Sequence, residues 1–195
     1  GHFPLYPYPH PETITLPATF PSLKRATNHG VVYPLPYFKL TQDLVRVGLG
    51  DDEALAVGDV EVAPIDVMVA LLQRERPRLL AESGVTGAGG CLRVIVGGMK
   101  DHREHTYVCT LTSAGSGAGE GTGIPAALGA VLHQRGRLGD RPGVHPPEAI
   151  VPVEEMLDLA GRVVGAMSIG EGEGIPLTVE HIAPDGSRET IPMAL

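Results

Sequence analysis

The spacing of apolar residues changes period several times along this chain, and each change marks an element. Phe3 to Pro21 has many prolines and no helical period. Its PLYPYPHPETITLP stretch predicts extended chain with one short strand near Thr13–Leu16. From Pro34 to Val47, Phe38, Leu40, Leu44, Val45 and Val47 recur at helical spacing, with a proline available for the first turn and glycine to stop the helix. ALAVGDVEVAP holds two short apolar runs around Gly58-Asp59, which predicts a hairpin. Pro64 to Leu80 carries a stripe of Ile65, Met68, Val69, Leu72 and Leu79, a second helix that Pro77 should break or kink.

The second half begins with a strand over Cys91–Val96. A charged turn over Met99–Glu104 follows, then the alternating run HTYVCTLT. So short a connection makes that pair antiparallel. A third helix is expected over Ile124–Arg135, and a fourth in VPVEEMLDLAGRVVGAM, where Glu154 and Glu155 suit the positive end of the helix dipole. The tail IPLTVEHIAPDGSRETIPM reads as a hairpin around Pro184–Ser187. The sum is α+β: a mostly antiparallel or mixed sheet with about four helices packed largely on one face.

Composition narrows the function classes. With 195 residues, 43% hydrophobic and only 4% aromatic, the chain can bury an aliphatic core. Its formal charge of −8, with no basic patch, argues against nucleic acid as a partner. No apolar run approaches the ~18–20 residues of a membrane span, and the first residues lack the basic head and apolar core of a signal peptide. A cytoplasmic location and no membrane partner are therefore expected. Cys91 and Cys109 give no disulfide framework and are expected to be buried, reduced thiols.

The stretch GAGEGTGIPAALGAVL, residues 117–132, raises the sharpest functional question. Gly121-Thr122-Gly123-Ile124-Pro125-Ala126 fits the relaxed dinucleotide pattern G-x-G-x-x-[G/A]. A true fingerprint follows a buried parallel strand and is answered by an acid at the end of a second strand about 20 residues on. Here the preceding strand alternates polar and apolar, while Asp140 and Glu148 end no strand. The dinucleotide reading is set aside. Two readings stand. The glycines, with Pro125 at the first helical position and Thr122 or Gly123 as cap, form an anion site for a substrate carboxylate. Or they form a loop that permits close helix packing.

TGIPAALGAVLHQRGRL followed by GVHPPEAIVPVEEML is similar to the T-G-x-P-A-A helix, basic turn and G-V-x-P-P-E segment of the saccharopine dehydrogenase-like family. PHPETITLP, LKRATNHG, the helix ending in VRVGL, and VEVAPIDVMVALL also resemble that family's substrate and dimerisation domain. The resemblance covers about Pro9 to Leu159. It implies one substrate-binding and dimerisation domain over residues 1–195, with an extended Pro-rich entry at 1–21 and a C-terminal hairpin extension at 168–195. It further implies a homodimer and a small amino-acid-like substrate. The parent enzyme would be an NAD(P)-dependent oxidoreductase acting on an amino-acid or polyamine C–N bond. NAD(P) would be held by a domain absent from this chain, so no cofactor is expected here and the chain alone should be inactive. The alternative is a non-catalytic small-molecule-binding or structural dimerisation module of the same fold.

An amino-acid substrate brings a carboxylate, which wants amides or cationic side chains, and an amine, which wants a carboxylate. Hydride transfer at an imine carbon also needs a proton donor near nitrogen. The resemblance makes His29, in TNHG, the candidate acid–base group or carboxylate contact. Lys24, Arg25, Thr27 and Asn28 stand beside it, and Asn28 occupies a place where some members carry arginine. Gly121, Thr122 and Gly123 complete the anion site, and Glu12 would either hold the amine or be a solvated loop acid. His102, His105 and Cys109 invite a metal reading. On a strand, however, only 105 and 109 share a face, so three ligands do not converge and no metal is expected. His133 is read as a surface or interface residue, the role of His145 is open, and Glu148 is read as a helix-entry or salt-bridge acid. No G-x-S-x-G elbow supports a hydrolase.

Overall fold

The computed structural model describes residues 4–114, 118–167 and 177–192, and the chain divides into two units, Gly1–Thr86 and Gly87–Leu195. The first unit is built on short pieces. β1 (Tyr6–Pro7) pairs antiparallel with β2 (His29–Gly30). Between them lies α1 (Glu12–Thr19), where extended chain and a strand were expected. The reason is local. Pro11 holds its backbone in the right-handed helical region, and Glu12 sits in the first turn, where the dipole favours an acid. The Thr13 hydroxyl donates to the His10 carbonyl. The β-branched run therefore winds into a helix despite Pro17 inside it.

α2 (Leu35–Arg46) and α3 (Pro64–Glu82) pack on one another. The β3–β4 hairpin (Leu55–Val57, Val60–Val62) lies between them in sequence, as the pattern predicts, with Gly58 at φ +63° in its turn. α3 runs through Pro77 without a break. Leu72 and Leu79, two turns apart and flanking the proline, are both buried, and their packing offsets the ladder bond that proline removes.

The second unit holds a four-stranded antiparallel sheet of β5 (Gly89–Lys100), β6 (Arg103–Ala114), β7 (Leu177–Ile182) and β8 (Arg188–Ile191), in that order. The β5–β6 turn is tighter than the sequence suggested. Only Asp101 and His102 lie outside the strands, at φ 51° and 62°, the paired positive φ that closes a two-residue hairpin. The C-terminal hairpin joins this sheet. β7 pairs with β6 over Thr106–Leu111 and completes the sheet. Residues 168–176 lie outside the described residues.

α4 (Ala118–Gln134), α5 (Pro147–Ile150) and α6 (Val153–Met167) bring the described helices to six rather than four. Leu128, Leu132 and Leu159 form the buried core between α4 and α6, with Leu132 only 2% exposed. Full burial of such a side chain contributes about 1.5–3 kcal/mol. α4 starts six residues earlier than Ile124, so Pro125 is inside the helix and Thr122 and Gly123 are not caps. Alanines at 126, 127 and 130 and the buried leucines carry the helix far enough to draw the glycines into it. No described helix is long and apolar enough to cross a membrane.

Candidate functional site

Cross-strand partners share a face of a sheet, so the register sorts every side chain of β5–β8. One face carries the rows Leu92–Leu111–Leu177, Val94–Cys109–Val179–Ile191 and Val96–Tyr107–His181–Glu189, with Gly98 opposite His105 beyond them. The other carries Arg93–Thr110–Thr178, Ile95–Val108–Glu180–Thr190 and Gly97–Thr106–Ile182–Arg188. The first face is thus apolar over most of its length and ends in imidazoles, a phenol and a carboxylate. The second is mixed. On it Val108 and Thr110 are buried, and Arg93 Nε donates to the Thr110 hydroxyl at 3.2 Å.

The β5 edge of the apolar face is open: Leu92 is 62% exposed, Val94 47% and Val96 52%, while Tyr107, Leu177, Val179 and Ile191 on the same face are half-buried. Cys109 lies within this face and is half-buried. Cys91 lies on the opposite face and is exposed, against the expectation of burial, because β5 is the edge strand and lacks a neighbour on one side.

At the end of the apolar face, His105 Nδ1 and His181 Nε2 are 2.8 Å apart. The ring planes differ by 9° and the centroids are 5.0 Å apart, a separation equal to the N···N distance plus the two ring radii. The nitrogens therefore point at each other along one line in a shared plane. One ring donates its N–H and the other accepts. Tyr107, directly opposite His181, stacks on it with centroids 4.8 Å apart. A hollow of about 300 Å³ lined by Gly97, Gly98, Met99, Glu104, His105 and Thr106 adjoins the pair. A broader one, between the β5–β6 turn and the β7–β8 turn, includes Arg103 and Asp185. Among the described residues no three of His, Cys, Asp or Glu converge as a metal set. His105 and Cys109 do share a face, and His105 contacts His181.

The residues singled out from sequence divide between the two units. His29 lies in β2, opposite Pro7, and the Tyr8 amide donates to the Asn28 carbonyl at 3.0 Å. Lys24, Arg25, Thr27 and His29 are exposed, and Asn28 is half-buried. Glu12 is engaged already. The His10 imidazole beside it, chiefly through their side-chain hydrogen bond, holds its carboxyl below the usual carboxylate range. Gly121, Thr122 and Gly123 are exposed within α4 of the second unit. The unsatisfied amides of that helix belong to its first turn from Ala118, so Thr122 and Gly123 sit in the hydrogen-bonded ladder instead.

Further along, the basic turn after α4 is fixed to α6 by Arg137, whose Nε donates to Glu155 at 2.6 Å while a second nitrogen donates to the other carboxylate oxygen. His145 Nε2 contacts the Pro142 carbonyl at 3.1 Å, and Oε1 of Glu148, in α5, is buried without a hydrogen-bond partner among the described residues. His181 escaped the sequence reading altogether. Its signal was the phase of VEHI, which puts His181 in step with the apolar set, but pairing it with His105 requires the β6–β7 register. No protein-family model matches the sequence, and no curated protein matches it.

Proposed function

We propose that this chain is the substrate-binding and dimerisation portion of a saccharopine dehydrogenase-like, NAD(P)-dependent oxidoreductase acting on an amino-acid or polyamine C–N bond, with the nucleotide held by polypeptide outside it. The single observation that carries the dimerisation half is the apolar face of the β5–β8 sheet. Strands about 4.8 Å apart rising about 3.3 Å per residue give that face a flat area on the order of 500 Å². With the relief of its side chains, that approaches the roughly 800 Å² per partner of a stable interface. A second copy is the occupant that suits it. A chain of formal charge −8 repels itself over most of its surface, yet Glu189 is the one acid in those apolar rows. On the other face Val108 and Thr110 are buried.

The substrate half rests on the sequence resemblance. It is supported by the α4–turn–α6 arrangement, locked by Leu128, Leu132 and Leu159 and by the Arg137–Glu155 pair. In this reading His29 is the acid–base group. Lys24, Arg25, Thr27 and Asn28 hold the carboxylate, and Glu12 exchanges its His10 contact for the substrate amine. Isothermal titration of the chain with saccharopine tests it. Heat of binding that is lost in His29→Ala supports the reading, and binding unchanged in that variant, or no binding, removes it. The alternative, a structural dimerisation module without chemistry, is favoured by the same apolar face and would dimerise without binding the amino acid.

A further inference from the structure

We infer that association through the apolar sheet face is controlled by protonation of the His105–His181 pair, weakening as pH falls. This rests on the reading that the face joins two copies of the chain. The two imidazoles share one hydrogen between nitrogens 2.8 Å apart and collinear in a common plane. In that state each nitrogen satisfies the other, and the pair can be covered by apolar surface without an unmet donor or acceptor.

A first added proton can sit on the outer nitrogen of the donor ring and leaves that bond in place. A second puts a hydrogen on each facing nitrogen, so neither can accept, and two like charges confront one another across the bond they shared. The pair must part, and its charges resist burial against Val96 and Tyr107 of the same face. The charged neighbours are mixed. Glu189, opposite His181 on β8, is the one acid in its row. Lys100 and Arg103, paired at the far end of β5–β6 on the same face, add positive charge. Asp101, Glu104 and Asp185 line the broader hollow with His105 and Arg103, and they reduce the repulsion between the rings without restoring the lost acceptor nitrogen. Tyr107 stacks on His181 through its ring and brings no charge.

Going from the fully protonated pair to the neutral one releases two protons per protomer and up to four per dimer, so the dissociation constant rises steeply with acidity. Sedimentation equilibrium of the whole chain at about pH 8 and about pH 5 reads this directly. The expected result is a dissociation constant at least about tenfold larger at the acid end, with that dependence lost in His181→Phe and in His105→Asn. Far-UV circular dichroism at both pH values establishes that each variant keeps its sheet. Imidazole ¹⁵N resonances of the unaltered chain, showing one bonded N–H···N pair at the upper pH and two protonated rings at the lower, give a reading that needs no variant. A dimer indifferent to pH, or one whose dependence survives in both variants, overturns the switch and leaves the interface standing. A monomer at both pH values overturns the interface and the switch together.

Discussion

Arg137 and Glu155 meet in a two-pronged ion pair that ties the turn after α4 to the first turn of α6. The guanidinium, chiefly by its hydrogen bonds, holds the Glu155 carboxyl below the usual carboxylate range. A carboxyl whose pKa is lowered by folding contributes stability above its unfolded pKa, and that contribution fades as pH falls through the lowered value. The pair is solvent-exposed, so the effect is small and salt weakens it. Arg137→Ala should lower the urea midpoint slightly at about pH 7 and converge with the parent chain near about pH 2.5, below the ordinary carboxylate range. Urea titrations at both pH values check it. An equal gap at both would assign the effect to packing of the arginine stem instead.

Leu132 should be the costliest side chain to truncate in the second unit. It is 2% exposed between Leu128 and Leu159, so Leu132→Ala loses transfer energy and leaves a cavity, about 2–5 kcal/mol in total. Val144, fully exposed, provides the contrast, and its alanine variant should stay within about 0.5 kcal/mol of the parent. Chemical denaturation of the two variants gives the comparison. Similar losses for both would mean that the α4–α6 contact is not the core of this unit.

Thiol labelling should separate the two cysteines. Cys91 is exposed on the mixed face, whereas Cys109 is half-buried in the centre of the apolar one. Cys91 should react first with a disulfide reagent. Cys109 should react more slowly, and its rate should fall further as protein concentration rises and dimers cover it. A concentration-independent rate at Cys109 would place the association surface elsewhere.

Periodicity made the α+β class, the hairpins at Gly58 and Pro184–Ser187, and α2, α3 and α6 legible in the sequence, because each couples a clear apolar stripe or alternation to a recognisable turn. It misread α1, where Thr and Ile suggested a strand but Pro11, in helical geometry, and the Thr13 hydroxyl bonded back to the His10 carbonyl favour a helix. It also misplaced the start of α4, since glycines that look like a loop can be drawn into a helix whose later turns are well buried. The His105–His181 contact could not be read at all, because the two residues are 76 positions apart and meet only through strand register. The candidate residues from Glu12 to His29 were visible as a cluster in sequence, and the β1–β2 bridge holds their C-terminal end.

Whether the apolar face of the β5–β8 sheet joins two chains is read from light scattering coupled to size exclusion. At neutral pH the chain should elute with twice its 20.5 kDa mass. Val94→Lys, which puts a charge at the middle of that face on a side chain already 47% exposed, should elute at the single-chain mass while keeping its secondary structure. A parent chain of 20.5 kDa, or a Val94→Lys variant that remains a dimer, would contradict that association.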